Sequence, residues 1–530
     1  MKTLAENPYL SEIITVLPRI LAGIDRDPLS PTAGVCDRLH WAWKLQDYAN
    51  ATPQGAAHGL AQLVAASQLP EFLPVTSVLE RIDLMIAGAR RITARDGSLV
   101  EAFPNEKSFC VTALVAFDIL RSADLLEARI GATQAARWRE TAAPMIDFIM
   151  RNEETHAIIS NHLATAVAAL TRWRGAGAAS AQARARQLLA RILAHQSAEG
   201  WFSEYGGADP GYETLGLGYL ADVLAQAPSN ELHEALARSL RFLCYFAQPD
   251  GSFGGLIGAR NTRFIVPAGL EELSVTLPDA ARLARFARRA IARRSVVTLA
   301  TLDEPNLAPN FNAYCRASAA FASLPSEAHA PLPCEMGEAF RQTFQAAGII
   351  IDAGPRHYTL VSTSKGGVTT HAVRQALPAA AVPCQEHWRV RVNPGVAGHI
   401  GGKIVSSQAF NPGNDWRIEG DVLHVTSQFA PVTLDRPSPG AFIALRLLAL
   451  TAFRVRAFTE FVKRRLVARL IARRGAAPCV NHRTIRLGEA LKINDVQIPP
   501  DVIKPITAGP PFMAIHMASA GYWQRQDDQL

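Results

Sequence analysis

Residues 181–220 read AQARARQLLARILAHQSAEGWFSEYGGADPGYETLGLGYL. The first part is rich in Ala, Leu and Arg, with apolar positions at i, i+3 and i+4, the pattern of an amphipathic helix. The segment GWFSEYGGADPG then breaks it, because glycines and a proline hold a tight, non-helical path before the next helix starts. This unit recurs through the first 320 residues. Similar polar breaks, four of the six containing Gly, lie near Asp47 (QDYANATPQG), Asp96 (ARDGSLVEAFPNE), Glu153 (RNEETHAIISNH), Glu199, Asp250 (QPDGSFGG) and Asp303 (TLDEPNLAPN), at intervals of 49, 57, 46, 51 and 53. A period near fifty holds two helices and two loops, and such periods mark architectures in which each helix pair buries its apolar face on its neighbours. Six hairpins close into a ring, the (α/α)6 toroid, which needs no terminal caps; an open solenoid is the alternative. In the ring, all six breaks lie at one end, where the unusual polar residues also sit.

The composition changes across a Pro-bearing linker around residues 324–337. Strand-like runs follow: AGIIIDAG, HYTLVSTS, GGVTTHAV, HWRVRVN, DVLHVTSQF and TIRLGEAL. They are read as alternating apolar and polar positions bounded by Gly, Pro, Asn and Asp, as in antiparallel sheets. A helical stretch interrupts them. The expected fold is therefore α+β and multidomain: an N-terminal (α/α)6 toroid over 1–325, then an antiparallel β-sandwich over 338–530 with a helical insertion near 442–474.

The chain has 530 residues, 48% of them hydrophobic and 19% charged, which excludes a largely disordered protein. No apolar run reaches the roughly 20 residues needed to span a bilayer. The opening MKTLAENPYLSEIITVLPRI has acidic residues and no signal-peptide core, so a cytoplasmic location is expected. Seven scattered cysteines form no CxxC pair, so neither a disulfide framework nor a zinc ribbon is indicated. No cofactor or metal motif is found. The net charge of +7 is concentrated in two runs: Arg282, Arg285, Arg288, Arg289, Arg293 and Arg294, then Arg454, Arg456, Lys463, Arg464, Arg465, Arg469, Arg473 and Arg474. They read first as solvated helix faces, and otherwise as sites for a polyanion or an anionic membrane. No recognised motif accompanies them to indicate nucleic acid. In the second run Phe453, Phe458, Phe461, Val462, Leu466 and Leu470 alternate with the cations. That spacing predicts a helix packed on the β-domain with its cations exposed, and secondarily a peripheral membrane contact.

The breaks hold the candidate site residues. The fourth carries Glu204, Tyr205, Asp209 and Tyr212, two carboxylates and two phenols suited to acid–base work. The third carries Asn161 and His162; Asn161 equally suits a helix N-cap, and His162 suits proton transfer near neutral pH. The first carries Arg38, His40, Trp41, Trp43 and Tyr48, with aromatic faces fit for sugar stacking, although Trp43 reads rather as a core residue. The second offers Glu101, Asn105 and Glu106. The fifth offers Arg260, Asn261 and Arg263, where arginine suits a bidentate clamp on a carboxylate or a plain surface ion pair.

In layout and in these short motifs the chain resembles the heparinase II/III-like polysaccharide lyases, including the related alginate lyases. That family lines its cleavage site with an Asn-His pair in the toroid and a Tyr shortly after a Gly-aromatic-x-Glu segment. The resemblance implies Asn161, His162 and, after GWFSE, Tyr212 as catalytic residues. It also implies an anionic polysaccharide or oligosaccharide as substrate. Two features depart from the family. No HxH occurs for its structural zinc, leaving His357, His371, His387, His399 and His424 dispersed, and no signal peptide is seen. The departures suggest a cytoplasmic branch working in polysaccharide assembly. Elimination from a uronate needs the carboxylate neutralised, a base for the C5 proton and an acid for the departing O4. Asn161 and Arg260 suit the first, His162 or Tyr212 the second, and Tyr212 the third. The rivals are a toroidal glycoside hydrolase, with a carboxylate pair drawn from Glu106, Glu204 and Asp209, and a non-catalytic polysaccharide-binding protein.

Overall fold

The computed structural model describes residues 7–154, 159–321, 330–375, 388–431, 438–467, 477–500 and 502–505. The first part is helical: α1 (Pro8–Ala22), α2 (Arg38–Trp41), α3 (Ala56–Ala65), α4 (Val75–Ile92), α5 (Phe109–Ile130), α6 (Ala132–Arg151) and α7 (Ser160–Arg172). It continues with α8 (Ala178–Ala194), α9 (Pro210–Gln226), α10 (Asn230–Leu243), α11 (Ala268–Leu273), α12 (Pro278–Arg293) and α13 (Glu304–Phe321). Helix α3 packs on α5, α5 on α7, α7 on α9, α9 on α11 and α11 on α13, and α13 packs back on α3. The circuit is closed. These inner helices are buried on nearly every side, as α9 is from Pro210 to Val223, whereas outer helices such as α8 bury one stripe. At the closing seam, Asn312 donates to the Gly55 carbonyl and accepts from the Gly59 amide, both at 2.9 Å. A Cβ on Gly59 would stand 2.4 Å from the Phe311 ring, so only glycine allows this approach.

Every break is the link from an outer helix into the next inner one. The six therefore sit at the N-terminal ends of the inner helices.

The second part is antiparallel sheet. β1 (Phe340–Phe344), β2 (Ile349–Gly354), β3 (His357–Ser362), β4 (Val368–Arg374) and β5 (Trp388–Asn393) form one sheet in chain order. A second sheet joins β6 (Ala397–Ile400), β7 (Lys403–Ser406), β10 (Ala430–Pro431) and β13 (Lys504–Pro505). The third joins β8 (Asp415–Glu419), β9 (Val422–Gln428), β11 (Val480–Arg486) and β12 (Lys492–Ile498). The alternation read into AGIIIDAG does not hold: every residue of β2 is buried. Ile350 and Val361 pack towards Leu423, Val425 and Ile485 of the third sheet, while Ile349, Ile351 and Leu360 join the core of the helical part. A strand covered on both faces has no polar side to show.

The insertion comprises α14 (Pro439–Leu450) and α15 (Arg456–Val467); Arg469, Leu470, Arg473 and Arg474 lie outside the described residues. Packing on the β-domain was expected, but the insertion is tied to the first two breaks. Arg446 pairs with Asp47 at 2.6 Å, Asn105 donates to the Ala449 carbonyl at 3.1 Å, and Phe103 meets Phe453 edge-on at 4.8 Å. In the other basic run, Arg282 pairs with Asp279, Arg285 and Arg289 with Glu335, Arg288 with Glu271, and Arg294 with Glu12. These pairings take most of that run out of consideration as a polyanion site. Among the described residues, no helix is long and apolar enough to cross a membrane.

Candidate active site

A cavity of about 480 Å³ opens where the breaks meet. Gln46, Tyr48, Glu101, Glu106, Glu154, Tyr205 and Asn306 reach it from five different breaks, Asn161, His162 and Tyr212 from the starts of α7 and α9, and Tyr219 from the middle of α9.

Asn161 does not cap α7. The cap position belongs to Ile159, which has no side chain able to accept a bond. Asn161 lies inside the first turn, and its amide N–H, one of the helix's orphan donors, goes to Glu204 Oε1 at 2.9 Å. Its side-chain Nδ2 reaches Glu204 Oε2 at 2.7 Å. Glu204 is fully buried, and loss of water pushes its carboxyl up to about 8 against the opposing pull of the Asn161 donors. Glu204 thus aims Asn161, and it is Asn161 that lines the cavity. His162 is held through Nδ1 by Glu154 Oε2 at 2.9 Å, with the carboxylate buried and the ring partly open. That bond leaves Nε2 available for proton transfer.

Tyr212 lies in the first turn of α9, its N–H on Asp209 Oδ1 at 3.1 Å and its ring edge-on to Phe264. Burial pushes its hydroxyl well above the ordinary range, opposed by the charge of Arg260. The phenol therefore keeps its proton at neutral pH. Tyr205 has a left-handed backbone, φ 57°, and the Arg260 guanidinium covers its ring at 4.2 Å.

Other predicted residues build the loops. Asp209, fully buried, caps α9 and accepts from the Arg260 amide at 2.7 Å and the Thr262 hydroxyl, tying the fourth break to the fifth. Glu106 Oε1 gathers the backbone N–H groups of Glu101, Ala102 and Phe103. Asn261 accepts from Lys365, which also donates to the carbonyls of Leu256 and Gly258. Asn105 turns to α14. His40 meets the Gln46 carbonyl at 3.1 Å, Trp41 donates to the Gly23 carbonyl at 2.8 Å, and Arg38 is exposed. Neither these three nor Asn105, Asp209, Arg260 or Asn261 line the cavity. Trp43, read as core, is 64% exposed.

Tyr48, read with the tryptophans of the first break as a stacking residue, lines the cavity, whereas Glu154, Tyr219 and Asn306 were missed. Tyr219 had a signal: Tyr212, Leu215 and Tyr219 are spaced i, i+3, i+7 on one helix face. The other two had only their position in a break. The lining contains Glu101, Glu106 and Glu154 but no lysine or arginine. Among the described residues, no group of three His, Cys, Asp or Glu side chains is placed to hold a metal ion.

No family model matches the sequence, and no curated protein matches it. Among solved structures, the chain is similar to the chondroitin AC lyase of Streptomyces coelicolor A3 in complex with chondroitin sulphate. The identity is 14% and the TM-score 0.50, over 82% of this chain and 64% of that one. It is also similar to a Paenibacillus xanthan lyase (11%, TM-score 0.45, 82% and 46%) and to a glycosidase in complex with glucose (12%, 0.38, 61% and 100%). The chain spans less than two thirds of the length of both lyases. At such identities the first likeness is one of fold: helices followed by antiparallel sheets, as in a polysaccharide lyase.

Proposed function

We propose that this chain is a polysaccharide lyase-like enzyme that cleaves a uronate-containing, anionic polysaccharide or oligosaccharide by β-elimination. In this reading the closed circuit of helix pairs over 1–325 is a catalytic (α/α)6 toroid, and 338–530 is a β-sandwich domain bearing the helical insertion. The observation that carries it is the gathering of Asn161, His162, Tyr205 and Tyr212 from consecutive breaks around one cavity. The order Asn-His, GWFSE, Tyr is what favours the heparinase II/III-like branch.

The roles follow from the bonds each side chain makes. Asn161, aimed by Glu204, donates to the uronate carboxylate as charge develops on it. His162 Nε2 takes the C5 proton, while Glu154 holds the ring and stabilises the imidazolium. The C5–H electron pair becomes the C4–C5 double bond, the C4–O4 bond breaks, and O4 takes the proton of Tyr212. Tyr212 suits the acid's part better than the base's, since burial holds its proton. Arg260 stacks on Tyr205 behind the lining, so its charge acts through that ring. Hydrolysis finds less support, because Glu106, Glu204 and Asp209 are all engaged in holding the backbone or Asn161.

Incubation with a panel of uronate polymers, followed by the ultraviolet absorbance of the unsaturated product, tests the proposal. New reducing ends without that absorbance would replace elimination by hydrolysis.

A further inference from the structure

The surface of α14 is ill suited to water. PGAFIALRLLAL is apolar on nearly every side, yet only Ala449 is buried. Ile443, Leu447 and Leu450, at i, i+4 and i+7, are 58%, 59% and 53% exposed and form one stripe. On α15, Phe461 is also exposed and carries the Arg465 guanidinium at 5.2 Å. A helix that is hydrophobic all round is ordinarily buried, and exposed apolar patches beyond a few hundred Å² mark interaction surfaces. At 12 residues, α14 is about 18 Å long, too short to cross a hydrocarbon core of roughly 30 Å but long enough to lie in its interface. Charge identifies the occupant. Residues 438–467 carry six basic residues against one acidic residue, Glu460. Apolar side chains flanked by excess cations match the two layers of an anionic lipid surface: acyl chains below, phosphates above.

We propose that α14 and α15 dock this protein on an anionic bilayer, with Ile443, Leu447 and Leu450 sunk at the boundary between headgroups and acyl chains. The Asp47, Phe103 and Asn105 contacts tie these helices to breaks that also line the cavity. Docking therefore brings those breaks to the lipid surface, where saccharide chains carried on lipid are within reach. The proposal is independent of which bond the cavity cleaves.

The test is co-sedimentation of the full chain with vesicles of phosphatidylcholine alone or mixed with phosphatidylglycerol. Binding is expected on the anionic vesicles, weaker on the neutral ones, and falling as salt is raised. Burying one Leu or Ile is worth about tenfold or more in affinity, so replacing Ile443, Leu447 and Leu450 by Glu should reduce binding by at least about 10³-fold. The melting temperature should stay in place, because these side chains already face solvent. Wild-type protein that stays in the supernatant with anionic vesicles overturns the proposal, as does a triple variant that still pellets. A dimer abolished by the triple substitution, without lipid binding, would assign the stripe to a second copy instead.

Discussion

Both carboxylate oxygens of Glu204 accept from Asn161, and burial raises the group from 4.5 to about 8. Between those values the folded protein holds a proton that the unfolded chain has released. The stability tied to this group is therefore fully present below 4.5 and lost as pH rises towards about 8. Glu204→Gln is neutral throughout and still offers Asn161 an acceptor, so denaturant midpoints followed across that window should fall less in the variant than in the wild type. Equal slopes would show that Glu204 titrates normally. Tyr212→Phe removes only a hydroxyl that faces the cavity. Its turnover should drop by about 10²–10⁴-fold, the usual contribution of a general acid, while its melting temperature holds. Full activity in that variant would remove Tyr212 from the chemistry.

Helix α9 and the loop before it depend on Asp209. One carboxylate caps the helix through Tyr212 N–H and holds the Arg260 amide and the Thr262 hydroxyl of the next break. Asp209→Ala should cost about 2–4 kcal/mol, about one for the lost cap and the remainder for buried donors left without a partner. Urea unfolding measures this, and a loss below 0.5 kcal/mol (about the level of a surface substitution) would contradict the arrangement. Asp209→Asn keeps an acceptor for the cap and should lose less. Turnover should fall alongside in the Ala variant, because Tyr212 and Arg260 are set by the same carboxylate. An acid that looks catalytic in the sequence thus serves as a joint between two loops.

The helical and sheet parts share a core. Phe344 of β1 packs on Phe242 at 4.8 Å and on Tyr245 at 5.4 Å, Tyr358 donates to the Tyr245 carbonyl at 2.7 Å, and Glu199 accepts from the amides of Ala346 and Ala347. Lys365, buried in the sheet part, grips the fifth break. With apolar surface continuous from one part to the other, the two should melt together. Calorimetry should show one transition in the wild type, and Phe344→Ala should lower it by the equivalent of about 3–5 kcal/mol. Two separate transitions in the wild type would mean that the parts fold independently.

The helices, their breaks and the period near fifty were legible in the chain because helix formation and interruption depend on residues a few positions apart. Asn161, His162 and Tyr212 stood out for the same reason, as polar residues where the helical pattern stops. Their partners did not. Asn161 and Glu204 are 43 residues apart, and only the stacking of neighbouring helix pairs joins them. Glu154, Glu106 and Asp209 are all acids in breaks, yet one supports a histidine, one gathers backbone amides and one caps a helix. Composition cannot separate these roles, because a carboxylate's task depends on which donors the fold sets around it. β2 escaped a correct reading because burial on both faces erases alternation, and Trp43 because a Trp in a loop carries no mark of which side of it meets water. Those outcomes rest on contacts between distant segments, and such contacts exist only once the chain has closed on itself.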